Sequence, residues 1–335
     1  MQRALRLSLA LPVVAVLAAC SSTAAGTGGD TSGDVVTIEH AFGTTEITGT
    51  PERVATVNWA NQDIALALGV VPVGMAAQTY GDDDGDGVLP WTAEALEELG
   101  AETPALFDET DGIDFEAVAE SDPDVILASY SGLTEEDYAT LSEIAPTVAF
   151  PEYAWGTPWR ESLAITGQAL GLEDEAAAVQ ADIEAQIAAA TEGSAFAGLS
   201  TAMFFVDPTD LSTISAYTPL DTRVQYLEDL GLTTAGSVTS LGEANEGQFF
   251  GAVSAEQADT FDDVDLFVAY GDQSLLEAMQ ADPLLGTIPA IQRGAVALLT
   301  DGTPVAAALT PTPLSIPWAL DDYVTSFDAA AQQVP

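Results

Sequence analysis

Apolar and polar positions fall into two successive rounds of short apolar runs separated by amphipathic stretches. In the first round, Val54-Ala55-Thr56-Val57 predicts a short buried strand and residues 62–69 a helix stopped by Gly69. A strand over residues 71–75, a short helix over 115–119 ended before Pro123, and a buried strand over 124–128 follow. A helix over 138–144 then leads to a strand over 147–150. The succession restarts with a strand over 201–206, a helix over 224–230 and a strand over 265–269. A helix over 275–280, a strand over 295–299 and an amphipathic helix from Trp318 to about Gln332 complete it. Strands separated by helices predict parallel sheets. Between the rounds, residues 173–192 are rich in alanine and glutamate and lack glycine and proline. They predict one helix about 30 Å long. The expected fold class is therefore α/β: two Rossmann-like lobes with parallel sheets, residues 35–172 and 193–335, joined by a linker helix over 173–192. Ligands of parallel sheets lie at the carboxyl ends of strands, so the expected site is a cleft between the lobes. A stiff single-helix connection predicts little hinge closure.

The segment before these rounds follows another pattern. Arg3 and Arg6 precede an apolar run over residues 7–19 that closes on Leu17-Ala18-Ala19-Cys20. The run is too short for a membrane-spanning helix, which needs about 20 apolar residues. It has the layout of a secretory signal, residues 1–19, ending at a lipobox. Cys20, the only cysteine, is then the lipidated N-terminus, and residues 20–34, small, polar and glycine-rich, form a flexible tether. Two acyl chains hold stably where one binds reversibly. The expected location is extracytoplasmic, on the outer face of the cell membrane.

Composition narrows the function classes. The chain carries 53 Asp+Glu against 6 Lys+Arg, a formal net charge of −47, and no lysine. Such a surface repels nucleic acid and anionic lipid headgroups. Only Arg53, Arg160, Arg223 and Arg293 remain beyond the leader, so an arginine in a pocket stands out. The lone histidine, His40, falls in an alternating segment that reads as an exposed edge strand. No Gly-x-Ser-x-Gly motif occurs, and one cysteine with one histidine cannot build a Cys/His metal cluster. These features favour a binding protein over an enzyme, with no cofactor or structural metal expected. Asp82, Asp84 and Asp86 occupy positions 1, 3 and 5 of an EF-hand-like loop with Gly87 at position 6. Position 12 is Ala93 and not the required glutamate, so a solvated loop is expected, with calcium the lesser alternative.

Several segments carry a family likeness. They are Gly43-Thr44-Thr45-Glu46-Ile47, Pro51-Glu52-Arg53-Val54-Ala55, Ala65-Leu66-Ala67-Leu68-Gly69-Val70, Phe115-Glu116 and Asp122-Pro123-Asp124-Val125-Ile126-Leu127. Ile144-Ala145-Pro146-Thr147-Val148, Val253-Ser254-Ala255-Glu256-Gln257, Asp282-Pro283-Leu284, Ile288-Pro289-Ala290-Ile291 and Arg293-Gly294-Ala295-Val296 continue it, in order, over nearly the whole chain beyond the tether. The chain thereby resembles the ABC-transporter substrate-binding proteins for ferric siderophores, vitamin B12 and haem. Ala128-Ser129-Tyr130-Ser131-Gly132, where Tyr130 directly follows a strand, and the run from Trp155 to Trp159-Arg160, a loop after a strand end, look closest to the siderophore binders. The resemblance implies a monomeric lipoprotein that captures a ferric siderophore and delivers it to a permease dimer. It assigns Glu116 and Glu256, one on each lobe, to docking on permease arginines. Such a ligand wants aromatic walls and one or two arginines. The candidates are Arg160, Arg223, Tyr130, Trp155, Trp159, Trp59, Tyr217, Phe250 and Trp318. The anionic field disfavours a multiply anionic catecholate and favours a neutral or cationic hydroxamate. Vitamin B12 or haem, or a sensor uncoupled from transport, are the alternatives.

Overall fold

The computed structural model describes residues 35–335. The expected signal peptide, the lipidated Cys20 and the tether lie outside the described residues. Among the described residues no helix is long and apolar enough to cross a membrane.

The chain opens with an antiparallel hairpin of β1 (Val35–His40) and β2 (Gly43–Thr48). The first lobe is a five-stranded sheet of β3 (Val54–Thr56), β4 (Gly74–Ala76), β5 (Ala105–Phe107), β6 (Val125–Leu127) and β7 (Thr147–Val148). Its order is β5-β4-β3-β6-β7 and every pair is parallel. The chain leaves β3 toward β4 and leaves the adjacent β6 the other way toward β7, which creates a topological switch point between β3 and β6.

The second lobe holds β8 (Ser200–Asp207), β9 (Asp210–Tyr217), β10 (Thr233–Thr234), β11 (Phe250–Ser254), β12 (Leu266–Tyr270) and β13 (Val296–Leu299). Here the structure departs from the expected parallel sheet. The order is β11-β9-β8-β12-β13, with β9 antiparallel to both its neighbours and β10 beside the start of β8. The cause is local: only Pro208 and Thr209 separate β8 from β9, and the Asp207 carboxylate takes both the backbone N–H and the hydroxyl of Thr209. A two-residue connection joins only antiparallel strands.

His40 also differs from its expected exposure. The residue is 7% exposed, and its ring meets the Tyr138 ring at 4.8 Å and bonds the Thr45 hydroxyl at 2.9 Å through Nε2. Burial lowers its pKa.

The helices Trp159–Leu170 and Glu173–Ala190 pack on one another, and the C-terminal helix Ser315–Ala331 packs on the second of them. One buried apolar cluster therefore runs from Ile38, Val54 and Leu127 through Leu163, Ile183 and Ile187 to Met203, Leu266 and Phe327. Close-packed interiors resist continuous deformation, so a core shared by both lobes opposes wide opening between them.

A buried carboxylate joins distant parts of this core. Asp63, fully buried on the helix Asn61–Ala67, accepts Trp91 Nε1 at 2.7 Å, the Thr92 hydroxyl at 2.7 Å and the Thr312 hydroxyl at 2.8 Å. Desolvation raises its pKa to about 6 although these donors pull it down. The folded pKa exceeds the unfolded one, so between about pH 4 and 6 the native state holds the extra proton. This site's contribution to stability falls as pH rises through that window and is constant above it. Asp63→Asn keeps the shape and removes the titration. Its stability relative to the parent should rise by up to ~3 kcal/mol from pH 4 to pH 7. Urea unfolding of both proteins across that range checks this, and a pH-independent difference would refute it.

Candidate functional site

The loops after β3 and β6 meet at the switch point, and a single side chain fixes both. Asn61, 1% exposed, donates through Nδ2 to the carbonyls of Val57 at 2.8 Å, Trp59 at 3.2 Å and Tyr130 at 2.8 Å. Its Oδ1 accepts the Tyr130 N–H at 3.1 Å and the Ser129 hydroxyl at 3.3 Å. The turn it holds is strained, with Asn58 at φ 60° and Ala60 at φ 67°. The Asn58 Oδ1 accepts the Gly132 N–H at 3.0 Å, and Glu109 accepts both N–H groups of Asn58. Buried polar groups saturated in this way hold one arrangement. Trp59 and Tyr130 are thereby placed side by side at the carboxyl ends of neighbouring strands.

Trp155 completes that wall. Its backbone takes φ 60°, its N–H donates to the Ser131 carbonyl at 2.9 Å, and its ring meets Tyr130 edge-on at 5.3 Å. The ring lies on Gly132, where an added Cβ would fall 2.4 Å from Trp155 Nε1.

The second lobe faces this wall with Tyr217 and Tyr270, the last residues of β9 and β12. Arg223, in the first turn of the helix Thr222–Asp229, stacks its guanidinium 3.9 Å over the Tyr217 ring. Its Nε and Nη2 donate to Asp221 at 2.8 and 2.6 Å, while Nη1 lies 3.4 Å from the Tyr270 hydroxyl. Asp221 caps the same helix through Arg223 N–H and is 1% exposed. Tyr80 reaches across to donate its hydroxyl to Asp301 at 2.8 Å. Phe205, Phe249 and Thr310 finish the lining of a cavity of about 540 Å³. Burial pushes the Tyr130 and Tyr270 phenols up to about 12 and raises Tyr80 as well. These tyrosines act as neutral walls and hydrogen-bonding groups at physiological pH. The Arg223–Asp221 pair cancels in charge, leaving Asp301, so the cleft is not basic.

Of the nine expected ligand residues, Trp59, Tyr130, Trp155, Tyr217 and Arg223 line this cavity. Four do not. Trp159 and Arg160 open the helix Trp159–Leu170 instead of extending a loop, which turns them away from the cleft. Arg160 bonds Glu184 at 2.6 Å and Asp229 at 2.7 Å, and Trp159 Nε1 donates to the same Asp229 at 3.0 Å. Together they tie three helices as a structural cluster. Phe250 is 43% exposed beside Phe249, and Trp318 packs its ring 5.3 Å from Trp91.

Glu116 and Glu256 are both exposed, each in the first turn of a short helical segment. The carboxylate oxygens of Asp82, Asp84 and Asp86 lie within 4.8 Å of one another. Asp82 accepts the N–H groups of Gly85 and Gly87, and Asp86 that of Val88, so the loop is closed by its own backbone donors.

A family model for periplasmic binding proteins matches residues 54–303. The chain belongs to the periplasmic binding protein family. Among solved structures, Streptococcus pneumoniae TIGR4 PiaA in complex with ferrichrome is 43% identical, with a TM-score of 0.86 over 90% of this chain and 100% of that one. A periplasmic solute-binding protein from Mycobacterium smegmatis is 28% identical, with a TM-score of 0.70 over 89% of this chain and 99% of that one. The probable siderophore-binding lipoprotein YfiY of Bacillus subtilis is 31% identical over 179 residues, 53% of this chain. That match spans about half the relative's own length, 51%.

In this periplasmic binding protein, sequence reasoning missed Tyr80, Tyr270, Phe205, Phe249 and Asp301. Tyr270 ends a strand and Tyr80 follows one closely, so the rule that placed Tyr130 would have found both. The outward ring of Phe205, 43% exposed, carries no such signal.

The contact between Gly132 and Trp155 is testable without a ligand. Gly132→Ala should displace the indole, shift the tryptophan emission and near-ultraviolet dichroism, and cost about 1–3 kcal/mol. In a Trp155→Ala background the same change should cost less than about 0.5 kcal/mol, because the clash is gone. Equal costs in the two backgrounds would refute the contact.

Proposed function

We propose that this chain is an extracytoplasmic, lipid-anchored solute-binding protein that captures a ferric siderophore of the hydroxamate type and delivers it to the permease dimer of an ABC importer. It acts by binding and not by catalysis. The observation that carries the reading is the charge balance of the cleft. Its one arginine is neutralised by Asp221 at 2.6 Å, and Asp301 adds a negative charge. A multiply anionic catecholate would enter this site, in a chain of net charge −47, against the field. A neutral or cationic chelate enters without that penalty, and its apolar backbone suits walls of Trp59, Tyr130, Trp155 and Tyr270. The likeness to PiaA, a structure solved with ferrichrome, supports the same choice. Haem is disfavoured because His40 lies in the β1–β2 hairpin, away from the cleft, and the cleft phenols are protonated.

The anchor rests on the leader and Cys20, and YfiY, described as a lipoprotein, supports it. Docking rests on Glu116 and Glu256. Both carboxylates are exposed, and the shared core that joins the lobes can hold two such anionic points at a fixed separation. The protein is expected to work as a monomer.

Tryptophan quenching tests the ligand class. Ferrichrome or ferrioxamine should saturate the signal with a Kd of about 1 μM or tighter, and a ferric tris-catecholate should bind at least about tenfold more weakly. Arg223→Ala should weaken the hydroxamate by removing the Tyr217 stack and baring Asp221. Quenching by the catecholate or by cobalamin alone would overturn the hydroxamate reading. For delivery, the double variant Glu116→Ala, Glu256→Ala should keep ligand binding and lose iron uptake in cells. Undiminished uptake would point to a sensor with no permease partner.

A further inference from the structure

Beside the aromatic cleft, a second cavity of about 280 Å³ opens against the first lobe alone. Trp59 and Trp155 line both cavities and form the wall between them. The lining of this annex is more polar than that of the cleft. Gln78 is 4% exposed; its Nε2 donates to the carbonyls of Ala76 at 3.0 Å and Asn58 at 3.4 Å. Those two carbonyls fix the amide's orientation, and its buried Oε1 has no partner. Glu109 lies on the same cavity. Its carboxylate accepts the Asn58 N–H at 3.0 Å and Asn58 Nδ2 at 3.1 Å, and no cation pairs with it among the described residues. Burial holds the Glu109 carboxyl above its ordinary range, the Asn58 bonds act the other way, and Asp137 adds to the rise.

An unpaired buried amide oxygen and a half-buried carboxylate without a cation call for one complement, a charged N–H donor. The chain has no lysine to supply it. We propose that this annex binds a primary ammonium arm of the ferric chelate whose iron-bearing body fills the aromatic cleft. The assignment rests on the hydroxamate reading and narrows it to chelates with a cationic arm. Glu109 supplies the charge, and the unpartnered Gln78 Oε1 beneath the lining adds its partial negative charge. The arm passes along Trp59 and Trp155, which line both cavities and whose aromatic rings favour a cation over a neutral group. Asp301 is the competing carboxylate, but its Oδ1 is taken by the Tyr80 hydroxyl.

The test compares ferrioxamine B, which carries a free ammonium arm, with its N-acetylated derivative, which has the same hydroxamate core without the charge. The readout is the ratio of the two Kd values from tryptophan quenching of the whole protein. The parent should bind the ammonium form about tenfold tighter or more, as expected for one charge-assisted contact. Glu109→Gln should bring the ratio toward one, and Gln78→Met should lower it about threefold. Glu277→Gln, an exposed acid on the helix Gln273–Ala281, removes one charge far from the site and should leave the ratio as it is. Should Glu109→Gln unfold the Asn58 turn, the Gln78→Met ratio decides alone. Equal binding of both forms by the parent, or a ratio that survives both variants, overturns the annex. So does a ratio abolished by Asp301→Asn alone, which would move the arm to the opposite wall. Absence of quenching by either form is a different failure: it overturns the hydroxamate reading, and the annex falls with it.

Discussion

Carboxylates outnumber cations in this chain by 53 to 6, and each structural joint is built under that constraint. Arg53 donates to the carbonyls of Ser121 and Asp122 just past the helix Phe115–Glu120, and Arg293 to the carbonyl of Asp265. Arg160 binds three helices together through Glu184 and Asp229. Arg223 alone reaches the cleft among the described residues, already paired with Asp221. With cations so scarce, the acids are accommodated by backbone donors. Asp114, Asp221 and Asp272 cap helices, Asp207 closes a hairpin, and Asp124 holds the N–H groups of Glu52 and Arg53. A carboxylate bonded to N–H groups at a helix start or turn is stabilised by local dipoles and needs no counter-ion. A chain with almost no basic residues can therefore still fold around ordered acids, and its cleft is left without net positive charge.

The cleft is held by hydrogen bonds and packing, not by ion pairs across its mouth. The Asn61 amide sets the distance between the β3 and β6 loops, Asn58 and Glu109 extend the bonding to Gly132, and Gly132 seats Trp155. Opposite them, Arg223 uses two of its donors on Asp221 and its face on Tyr217. Because the core runs through both lobes, the two walls are presented at a nearly fixed separation. Recognition then depends on pre-set aromatic surfaces, which lose little conformational freedom when a rigid ligand enters.

The fold was legible where the local pattern and the global answer agree. Buried parallel strands such as Val125–Leu127 read as unbroken apolar runs, and Glu173–Ala190 read as a helix because nothing in it breaks one. Legibility failed where a few residues decide a topology. Pro208-Thr209 turned one crossing into a hairpin, and Trp159-Arg160, read as loop, began a helix after Pro158. The second difference changes the lining of the cleft, because a helix start aims its side chains by its own packing and neither residue lines the cavity. Of the expected residues that line the cavity, Tyr130, Tyr217 and Arg223 follow from the position of strand ends and helix starts. Phe205 and Phe249 belong to an exposed sheet face and loop, where an aromatic ring has no periodicity to announce it.

Backbone strain marks the same place. Among the described residues, four that are not glycine take positive φ: Asn58, Ala60, Asp122 and Trp155. Asp122 lies in the turn that Arg53 holds, Asn58 and Trp155 line the cleft or its annex, and Ala60 is buried directly after Trp59. Each costs roughly 1–2 kcal/mol relative to a regular conformation, and Ala60 has no side chain to offset it. Such positions persist only where surrounding bonds over-determine them. Here the surroundings are visible: Asn61 grips the carbonyls on both sides of Asn58, Glu109 takes both of its N–H groups, and Ser131 holds Trp155. Local preference and global fold conflict at these three residues and agree over most of the chain. That conflict explains both why the switch-point turn was illegible as secondary structure and why the protein maintains it, since the strained turn sets Trp59 on the lining that Trp155 shares.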